Sequence, residues 1–497
     1  MKTVQRLRIL LIASEVDPFA KTGGLADVAA ALPRALAGLK HDVRILMPKW
    51  RGVERHAADL RPVAERLRVP LGDRTVEGAL LEGRAPWGMP VYFLAQDHYF
   101  DREGLYGTAD GDYWDNCERF IFFCRGALEG LAVLGAQAVA AWRPHVIHAN
   151  DWETGLVPVY LRTLYRDHPA LKDVATLFTI HNLAYQGVFW HYDMPLTGLG
   201  WDLFTPAGIE FYGKLNFLKG GLVFADVLTT VSRTYAREIR VPELGHGLEG
   251  VLEERSHDLY GVINGIDHAV WNPATDTAIA TPYSEKDFED KALCRDALRR
   301  ELALDSAPGP VLGMVTRLAS QKGLDLVLEA LPAILADGCQ LVVLGSGDAP
   351  LEEAFAAAAA RHAGQVAIRL AYDAALARRI YAGADCFLMP SRYEPCGLGP
   401  LIALRYGAVP VVRRTGGLAD TVHEFDPASG AGTGFTFDAF SVEALLGALG
   451  RAVATFRRPA LWKTLIRNCM AEDFSWDASA REYVTLYRKA IKAKGTR

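Results

Sequence analysis

The sequence has few cysteines and lacks the patterns that cysteine-based sites need. Only seven of its 497 residues are cysteine, they are widely scattered, and no two of them form a CxxC pair. A disulfide framework or a zinc site requires cysteines at closer and paired spacing, so neither is indicated. Scattered thiols favour a protein of the reducing cytosol, and we therefore expect a cytoplasmic location.

Long apolar runs and an excess of positive charge are also missing. No uninterrupted apolar stretch approaches the ~20 residues that a membrane-spanning helix needs. The 54 Lys and Arg residues stand against 59 Asp and Glu residues, which gives a formal net charge of −5. We therefore expect no membrane span and no nucleic-acid partner, and an anionic ligand would need a local cluster of cations.

Several motifs of nucleotide, metal and hydrolytic chemistry are absent. The sequence contains no GxxxxGK[ST], no HExxH and no GxSxG. The segment GSGDAP at Gly345 follows a predicted strand, but Pro350 stands where GxGxxG requires its third glycine, so a dinucleotide site is not indicated. We expect no metal site and no resident cofactor.

The residues that are present indicate an α/β protein. Half of them are apolar and 23% are charged, which is typical of a globular protein with sizeable cores. Short apolar runs alternate with Gly- or Pro-marked turns and stretches of helical spacing, the pattern of parallel sheets covered by helices. The predicted strands are 7–13, 42–47, 91–95, 145–149, 175–180 and 227–231 in a first set, and 311–315, 340–345, 366–370, 386–389 and 409–412 in a second.

The two sets of strands predict two domains. The stretch between them, 271–310, is rich in Pro, Asp, Thr and Ala and contains one predicted short helix. We place an amino-terminal domain at 1–263 and a carboxy-terminal domain at 264–480, with the connection at 264–310.

One hexapeptide, TGGLAD, occurs in both predicted domains. It spans Thr22 to Asp27 and again Thr415 to Asp420, and each copy precedes a stretch of helical spacing. Paired glycines let backbone N–H groups approach a ligand, and the positive end of a helix dipole favours an anion. A cation, Lys21 or Arg414, stands beside each copy, so we rate an anion-binding role above two unrelated tight turns.

Charged residues follow two strands of the second domain. Arg317 and Lys322 come after the first of these strands, where their cations would suit a diphosphate; a pair of solvated loop cations is the alternative. Glu394 lies in a Pro- and Gly-rich turn after another strand, where it either binds sugar hydroxyls or caps a helix. Cys396 is interpreted as a small buried side chain because no nearby histidine would activate its thiol.

Polar residues also end two strands of the first domain. HAND ends at Asp151 after a strand that includes His148, and IHN places His181 and Asn182 after the next strand. Ligands bind beyond the carboxyl ends of strands in open α/β sheets. A single histidine is more often structural, but this combination predicts a polar site.

Together these motifs resemble the bacterial glycogen synthases and their plant relatives, the starch synthases, from about Leu7 to Tyr487. The segments that carry the resemblance are KTGGLADV, HAND, TIHNLAYQG, VINGIDHAVWNP, QKGLDL, SRYEPCGLGPL, TGGLADTV and FSWDASAREY. The resemblance implies a GT-B fold, in which two Rossmann-like, doubly wound domains face a deep cleft, with a terminal helix in 481–497 crossing back to the amino-terminal domain. It also implies that glucose passes from ADP-glucose, a substrate and not a cofactor, to the non-reducing end of an α-1,4-glucan such as glycogen, with retention of configuration.

The resemblance assigns roles to individual residues. Lys21 is similar to a lysine that contacts the donor's phosphate and glucose, and His181 to a histidine that lies against the transferred sugar. Arg317 and Lys322 resemble the pair that binds the diphosphate, and Glu394 resembles the carboxylate that binds glucose hydroxyls. The further substrate-binding residues that it implies are Gly23, Gly24, Asp27, Asp151, Asn182, Asn264, Tyr372, Cys396, Gly397, Leu398, Gly399, Thr415, Gly416 and Gly417.

Tyr372 and Gly399 have more specific assignments. Tyr372 is similar to an aromatic residue that packs on the nucleotide base. Gly399 and Pro400 stand where the family usually has Thr and Gln, so the backbone N–H of Gly399 would replace a hydroxyl contact to phosphate.

Other functions stay open from the sequence. A related two-domain transferase could use UDP-glucose, and a phosphorylase of similar fold would need pyridoxal phosphate on a lysine. A non-catalytic glucan-binding scaffold is an alternative of a different class. The oligomeric state is not indicated.

Overall fold

The structure is a computed structural model that describes residues 6–108, 110–136 and 141–496. The chain divides into two compact units. Unit 1 contains the chain up to Val231, then 236–262 and the segment from Trp476 onward; unit 2 contains Ser232–Tyr235 and Ile263–Ser475. The division therefore falls between 262 and 263, and the terminal segment joins unit 1 from 476, where our prediction placed these limits at 263/264 and at 481.

The strands and helices follow one another along the chain in a mostly alternating order. The strands are β1 Arg8–Ile12, β2 Asp42–Pro48, β3 Ala58–Leu71, β4 Arg74–Arg84, β5 Pro90–Ala95, β6 Gly107–Thr108, β7 Gly111–Asp112, β8 Val146–Asn150, β9 Ala175–Ile180, β10 Val188–Trp190, β11 Glu210–Phe211, β12 Lys214–Asn216, β13 Val227–Thr230, β14 Leu259–Gly261, β15 Val311–Val315, β16 Gln340–Leu344, β17 Val366–Arg369, β18 Cys386–Met389, β19 Val409–Arg413 and β20 Phe435–Phe437. The α-helices are α1 Gly24–Gly38, α2 Asp97–Phe100, α3 Asn116–Ala136, α4 Leu156–Arg162, α5 Met194–Thr197, α6 Phe217–Phe224, α7 Arg233–Glu238, α8 Pro242–Gly245, α9 Glu249–Glu254, α10 Lys291–Glu301, α11 Leu324–Ala336, α12 Ala349–Arg361, α13 Ala374–Gly383, α14 Leu398–Arg405, α15 Gly416–Thr421, α16 Val442–Phe456, α17 Pro459–Ala471 and α18 Trp476–Gly495.

The sheet of unit 1 is built around β1. Its order is β14-β13-β9-β8-β1-β2-β5-β4-β3, and β1 pairs in parallel with β2 on one side and with β8 on the other. Helices cover both faces of the central strands, so β8 and β9 are buried along their whole length, which explains their continuous apolar runs. The strand order reverses between β1 and β8, and ligand sites in doubly wound sheets form at such a point.

A long antiparallel hairpin, β3 and β4, forms one edge of this sheet, and the sequence did not predict it. Much of β3 is exposed, and both strands carry arginine and glutamate along their length. A search for buried apolar runs misses such a strand, because an edge strand solvated on one side needs no continuous apolar face. The small sheet β10-β12-β11 and the strands β14 and β20 were not predicted either, because each of these strands has only two or three residues.

The sheet of unit 2 is parallel throughout and has the order β17-β16-β15-β18-β19-β20. The order reverses between β15 and β18, whose ends carry the cations and the glutamate singled out in the sequence. Every predicted strand of both sets is present within one residue of its predicted ends, and the predicted helix of the connection is α10. The α/β prediction is thus confirmed.

The last helix, α18, packs against the sheet of unit 1. The Tyr487 hydroxyl lies 2.8 Å from Nδ1 of His148 on β8. Within the described ranges no helix is long and apolar enough to cross a bilayer. The same part of the chain shows no group of three or more His, Cys, Asp and Glu side chains arranged to hold a metal ion, and all seven cysteines are free and buried.

Candidate active-site residues

A buried carboxylate that the sequence analysis missed holds the first TGGLAD turn in place. Glu15 follows β1, and its oxygens accept hydrogen bonds from the backbone N–H and the hydroxyl of Thr22, both at 2.5 Å, and from the N–H of Gly23 at 3.2 Å. The hydroxyl of Tyr106 donates to the same carboxylate at 2.8 Å. The signal was available, because Glu15 directly follows a predicted strand, where ligand-side residues are expected.

Lys21 and Asp27 form an ion pair at the start of α1. The Lys21 ammonium lies 2.5 Å from Oδ1 of Asp27, and both side chains are partly exposed. Burial raises the pKa of Asp27, and the neighbouring lysine opposes that rise. Gly23 and Gly24 beside the pair are exposed, so this copy of the hexapeptide presents its glycines and a cation to solvent at the first turn of a 15-residue helix.

Asp151 and His181 meet where β8 and β9 end. The backbone N–H of His181 donates to Oδ1 of Asp151 at 2.7 Å, and the His181 Nε2 lies 3.0 Å from Oδ1 of Asn150. Asp151 adopts a φ of +54°, a left-handed conformation that costs a non-glycine residue about 1–3 kcal/mol and is common at functional sites. Asn182 is half-buried, and its Oδ1 accepts a hydrogen bond from the N–H of Ala184.

Burial sets the charge of both groups. It raises the pKa of Asp151 to about 7, although the N–H groups of His181 and Asn182 lower it, and it lowers the pKa of His181 to about 3. His181 is therefore a neutral imidazole at physiological pH, able to form hydrogen bonds to a sugar but not to offer a positive charge.

His148, which HAND placed near the predicted polar site, has a structural role instead. It is fully buried, with Nδ1 2.8 Å from the Tyr487 hydroxyl and Nε2 2.6 Å from Oγ1 of Thr179. Burial lowers its pKa to about 3. Because both ring nitrogens have protein partners, this histidine is structural, which is the commoner role that we expected for a single histidine.

In unit 2, the loops after β15 and β18 bring Lys322 and Glu394 together. The Lys322 ammonium lies 2.6 Å from Oε2 of Glu394, and their side chains are only 13% and 8% exposed. The hydroxyl of Ser391 donates to the same oxygen at 3.1 Å, and Gln321 Nε2 donates to the Tyr393 carbonyl at 3.1 Å. The ion pair and the Gln321–Tyr393 hydrogen bond thus join the two loops.

Arg317 lies on the first of these two loops. Its side chain is exposed, and its guanidinium has no hydrogen-bond or ion-pair partner among the residues that the structure describes. A guanidinium presents several N–H donors in a fixed plane that suits phosphate oxygens. This cation is therefore available to a ligand.

The second TGGLAD copy differs from the first in its surroundings. Gly416 and Gly417 are buried, and a Cβ on Gly416, at φ +47°, would lie 1.9 Å from the Glu394 carbonyl oxygen. The Gly417 N–H donates to that same carbonyl at 3.0 Å. We expected the glycines of both copies to present N–H groups to a ligand, and for Gly417 this expectation is wrong, because its N–H binds the protein's own loop. Helix α15 is also only six residues long.

The remaining glycines and small residues of unit 2 surround the start of α14. Gly397 caps this eight-residue helix at φ +84°, a conformation that glycine adopts freely, and Leu398 and Gly399 are its half-buried first residues. Cys396 is buried, and burial raises the pKa of its thiol to about 12, so it is a neutral side chain as interpreted from the sequence. Its neighbour Asn264 is also buried.

Two further predicted residues have contrasting positions. Thr415 is buried at the start of α15. Tyr372 is 85% exposed and stands before Asp373, which caps α13 by accepting a hydrogen bond from the Leu376 N–H at 2.8 Å. The Tyr372 ring is thus available to stack on a flat ligand, while Thr415 supports the turn that carries Gly416.

The structure therefore groups the predicted residues into three clusters. Within unit 1, one cluster is formed by Lys21, Gly23, Gly24 and Asp27, and another by Asp151, His181 and Asn182. Within unit 2, the third comprises Lys322, Asn264, Glu394, Cys396, Gly397, Leu398, Gly399, Thr415, Gly416 and Gly417. Arg317 and Tyr372 are exposed, and their side chains have no hydrogen bond or ion pair to this cluster among the described residues.

Comparisons with known proteins agree with the motifs. Residues 8–254 match the family described as the starch synthase catalytic domain, and residues 295–455 match glycosyl transferases group 1. The glycogen synthase of Syntrophotalea carbinolica is 53% identical over 98% of this chain and 99% of its own length. The glycogen synthase of Anaeromyxobacter dehalogenans is 50% identical over 97% of this chain and 99% of its own length.

Solved structures show the same architecture. The catalytic domain of starch synthase IV from Arabidopsis thaliana, bound to ADP and acarbose, superimposes with a TM-score of 0.88 at 35% identity, covering 98% of this chain and 100% of that chain. A sucrose-phosphate synthase from Thermosynechococcus elongatus superimposes with a TM-score of 0.60 at 18% identity, which is a likeness of fold.

Proposed function

Because the chain belongs to the glycogen and starch synthase family of GT-B glycosyltransferases, we propose that it transfers glucose from ADP-glucose to the non-reducing end of an α-1,4-glucan with retention of configuration. The resemblance and the enzyme class expected from the sequence are thereby confirmed, as is glucosyl transfer in glycogen synthesis. What we propose beyond this is that the donor's base is adenine, that configuration is retained, and that the acceptor reacts at its non-reducing end.

The observation that carries the proposal is the cation cluster of unit 2 beside a buried carboxylate. Among the described residues the ammonium of Lys322 gives one hydrogen bond, to Glu394, and its other N–H groups are available to phosphate oxygens. Arg317 is exposed five residues before Lys322 in the sequence, and α14, whose first turn carries the positive end of its dipole, begins at Leu398, four residues after Glu394. The hydrogen bonds that Lys322 and Ser391 donate to Glu394 both end on Oε2, so among the described residues its Oε1 is available to a sugar hydroxyl.

The chemistry that these groups support is departure of a nucleoside diphosphate. The bond between C1 of glucose and the phosphate oxygen breaks, and a bond from the acceptor hydroxyl oxygen to C1 forms on the same face. The acceptor's proton passes to the leaving phosphate. Negative charge grows on that phosphate, so the cations of Arg317 and Lys322 in unit 2 lower the barrier, each by about 3 kcal/mol when it is well placed.

His181 and Asp151 contribute in different ways to this reaction. A neutral His181 accepts or donates a hydrogen bond to the transferred sugar without repelling the positive charge that develops on its ring. Asp151, with its pKa near neutrality, borders the acceptor side. Tyr372 offers a stacking surface for a nucleobase, and the ADP in the Arabidopsis neighbour supports adenine as that base.

The test is incorporation of labelled glucose into glycogen by the purified protein, with ADP-glucose and UDP-glucose compared at equal concentration. We expect transfer from ADP-glucose to exceed transfer from UDP-glucose by at least about tenfold, a difference of ~1.4 kcal/mol. Equal rates, or a preference for UDP-glucose, would overturn ADP-glucose as the donor. No incorporation from either nucleotide sugar would instead support a non-catalytic glucan-binding scaffold. A β-linkage in the NMR spectrum of the product would overturn retention.

The phosphorylase alternative needs its own measurement. A pyridoxal phosphate enzyme has an absorption band in the near ultraviolet that the bare chain lacks. We expect no such band in the purified protein, and a band that disappears on reduction with borohydride would contradict the proposal.

A further inference from the structure

Unit 2 contains a cavity that the proposed reaction does not use. Its volume is about 280 Å³, just below the ~300–1,000 Å³ of most ligand pockets, so it suits a small metabolite. One wall belongs to the connecting stretch 271–310, and the other is formed by the last turns of α14 and α17. We call it the connection cavity. Its lining includes Asn272, Pro273, Ser284, Lys286, Arg405 and Met470.

The connection cavity lies at the opposite end of α14 from the candidate active-site residues. This helix begins after Gly397, which belongs to the cluster around Glu394, and ends at Arg405. Eight residues of α-helix span about 12 Å. None of the residues that line the cavity belongs to the Glu394 cluster, so the cavity is a separate place in unit 2.

The main cation of the connection cavity is Arg405. Its Nε is buried without a hydrogen-bond partner, and its guanidinium forms no ion pair among the residues that the structure describes. A buried donor left without an acceptor costs about 1–3 kcal/mol, and more when the group is charged. Buried polar groups in native proteins almost always have a partner. An acceptor from outside the chain would therefore satisfy this arginine.

Capping of α14 does not explain Arg405. A cation in the last turn of a helix often binds the terminal carbonyl groups, but here these carbonyls have other donors. The N–H groups of Gly407 and Ala408 donate to carbonyls of the last turn at 3.0 and 2.9 Å. The Tyr283 hydroxyl donates to the carbonyl of Tyr406 at 2.8 Å. The guanidinium is thus not needed by the helix that carries it.

The other polar groups of the lining add donors and one acceptor. Lys286 supplies a second ammonium, which forms no ion pair in the described part of the chain. The Oδ1 of Asn272 accepts a hydrogen bond from the N–H of Ala274 at 3.1 Å, so the amide group of this side chain is fixed in place. Ser284 adds a hydroxyl, and Glu285 is the one acid among the lining residues. The lining therefore carries two cations against one carboxylate.

The wall formed by the connecting stretch is held together by backbone hydrogen bonds. The N–H of Tyr283 donates to the Pro273 carbonyl at 3.1 Å, which joins the two turns that line the cavity. Ser284 and Asp287 exchange backbone hydrogen bonds at 2.9 and 3.1 Å. A site whose walls are already ordered loses little conformational entropy when it takes up a ligand.

We propose that the connection cavity binds a small phosphate monoester with hydroxyl groups on its carbon body. The guanidinium of Arg405 offers N–H donors in a plane that fits phosphate oxygens, and Lys286 adds a point charge. Glu285 accepts hydrogen bonds from the ligand's hydroxyl groups, while Pro273 and Met470 contact its carbon atoms. The inference goes beyond the proposed transfer of glucose and does not depend on it.

The experiment is calorimetric titration of the purified full-length protein with glycerol 3-phosphate, which carries a phosphate and hydroxyl groups on a short carbon body. Glycerol controls for the hydroxyl groups, and glycerate controls for a carboxylate in place of the phosphate. We expect saturable binding of glycerol 3-phosphate with a Kd of about 1 mM or lower. Glycerate should bind at least about tenfold more weakly, and glycerol should not bind.

Variants locate the binding. Arg405→Gln should weaken the binding of glycerol 3-phosphate at least about tenfold. The matched control is Arg361→Gln, because Arg361 is also the last residue of a helix, α12, but lies outside the cavity lining. It should bind as the wild type does. If Arg405→Gln does not fold, Lys286→Gln on the exposed turn replaces it, with a smaller loss of affinity expected.

The result that supports the inference is loss of affinity in the cavity variant with unchanged affinity in Arg361→Gln and in Lys322→Ala. Absence of saturable binding, or equal affinity in the wild type and the cavity variant, would overturn it. Binding that is lost in Lys322→Ala but kept in Arg405→Gln would also overturn it, because the anion would then occupy the candidate active-site residues. Glycerate that binds as tightly as glycerol 3-phosphate would refute a phosphate ester as the ligand. The titration needs no turnover, so failure of the proposed function would not change these outcomes.

Discussion

Replacement of Lys322 by alanine tests the centre of the proposed mechanism. Its ammonium lies 2.6 Å from Oε2 of Glu394, and neither side chain is more than 13% exposed. Removing one partner of a buried ion pair costs about 3–5 kcal/mol, and the partial exposure here places the expected loss of unfolding free energy near 3 kcal/mol. Losing a preorganised cation at a developing negative charge costs about 3 kcal/mol of barrier, or ~10²-fold in turnover.

These two effects need separate measurements. Urea unfolding reports stability, and turnover with saturating ADP-glucose and glycogen reports the barrier. Lys463→Ala is the matched control, because Lys463 also lies 2.6 Å from a glutamate oxygen, that of Glu289, but both side chains are exposed. An exposed pair contributes less than about 1 kcal/mol, so we expect little change in stability and none in turnover.

A second variant separates binding of phosphate from support of Glu394. If Lys322 serves only to hold the Glu394 side chain in place, Lys322→Ala/Glu394→Gln should turn over as fast as Glu394→Gln. We expect the double variant to be slower by at least about tenfold, because the lysine also meets the leaving phosphate. Turnover of a folded Lys322→Ala protein within about twofold of the wild type would refute the reasoning.

Two further predictions concern the loops and the charge of the site. Gly416→Ala should cost at least about 2 kcal/mol of stability and most of the activity, because the new Cβ would lie 1.9 Å from the carbonyl oxygen of Glu394. The control is Gly450→Ala, in open space on α16, which should gain about 0.5–1 kcal/mol of stability. Thermal unfolding and turnover assays measure both effects. Burial raises the pKa of Asp151 to about 7 in the folded protein, so between about pH 4 and 7 the folded state binds more protons than the unfolded state. The free energy of unfolding of the wild type should therefore fall, relative to that of Asp151→Asn, as the pH rises through that window. Parallel pH profiles in urea unfolding would contradict this.

Much of the fold was predictable because its signals are local. Buried parallel strands such as β9 and β15 are continuous apolar runs, since both faces of the sheet are covered, and their ends were located to within one residue. The β3–β4 hairpin was not predictable in the same way. Its strands pair only with each other and with β5, and they keep polar residues that face solvent.

Site residues were predictable where a polar or charged side chain closely follows a strand. Hydrogen-bond partners that lie far apart along the chain were not predictable. Arg317, Lys322 and Glu394 follow strands and lie as expected at one edge of a sheet. Glu15 supports its turn with help from Tyr106, 91 positions away, a pairing without any local signal. His148 has the residue type of a ligand-facing group, but α18 covers it.

The amino-acid sequence by itself determined the family, the alternation of strands and helices, and the order of the ligand-side residues, because each of these depends on residue type and spacing along the chain. The tertiary structure alone decided which of two identical TGGLAD segments is exposed and which is buried, and that His148 is covered by α18 while His181 lies beside Asp151. The physical reason is that burial and hydrogen bonding depend on what covers a residue. That covering comes from segments distant in sequence.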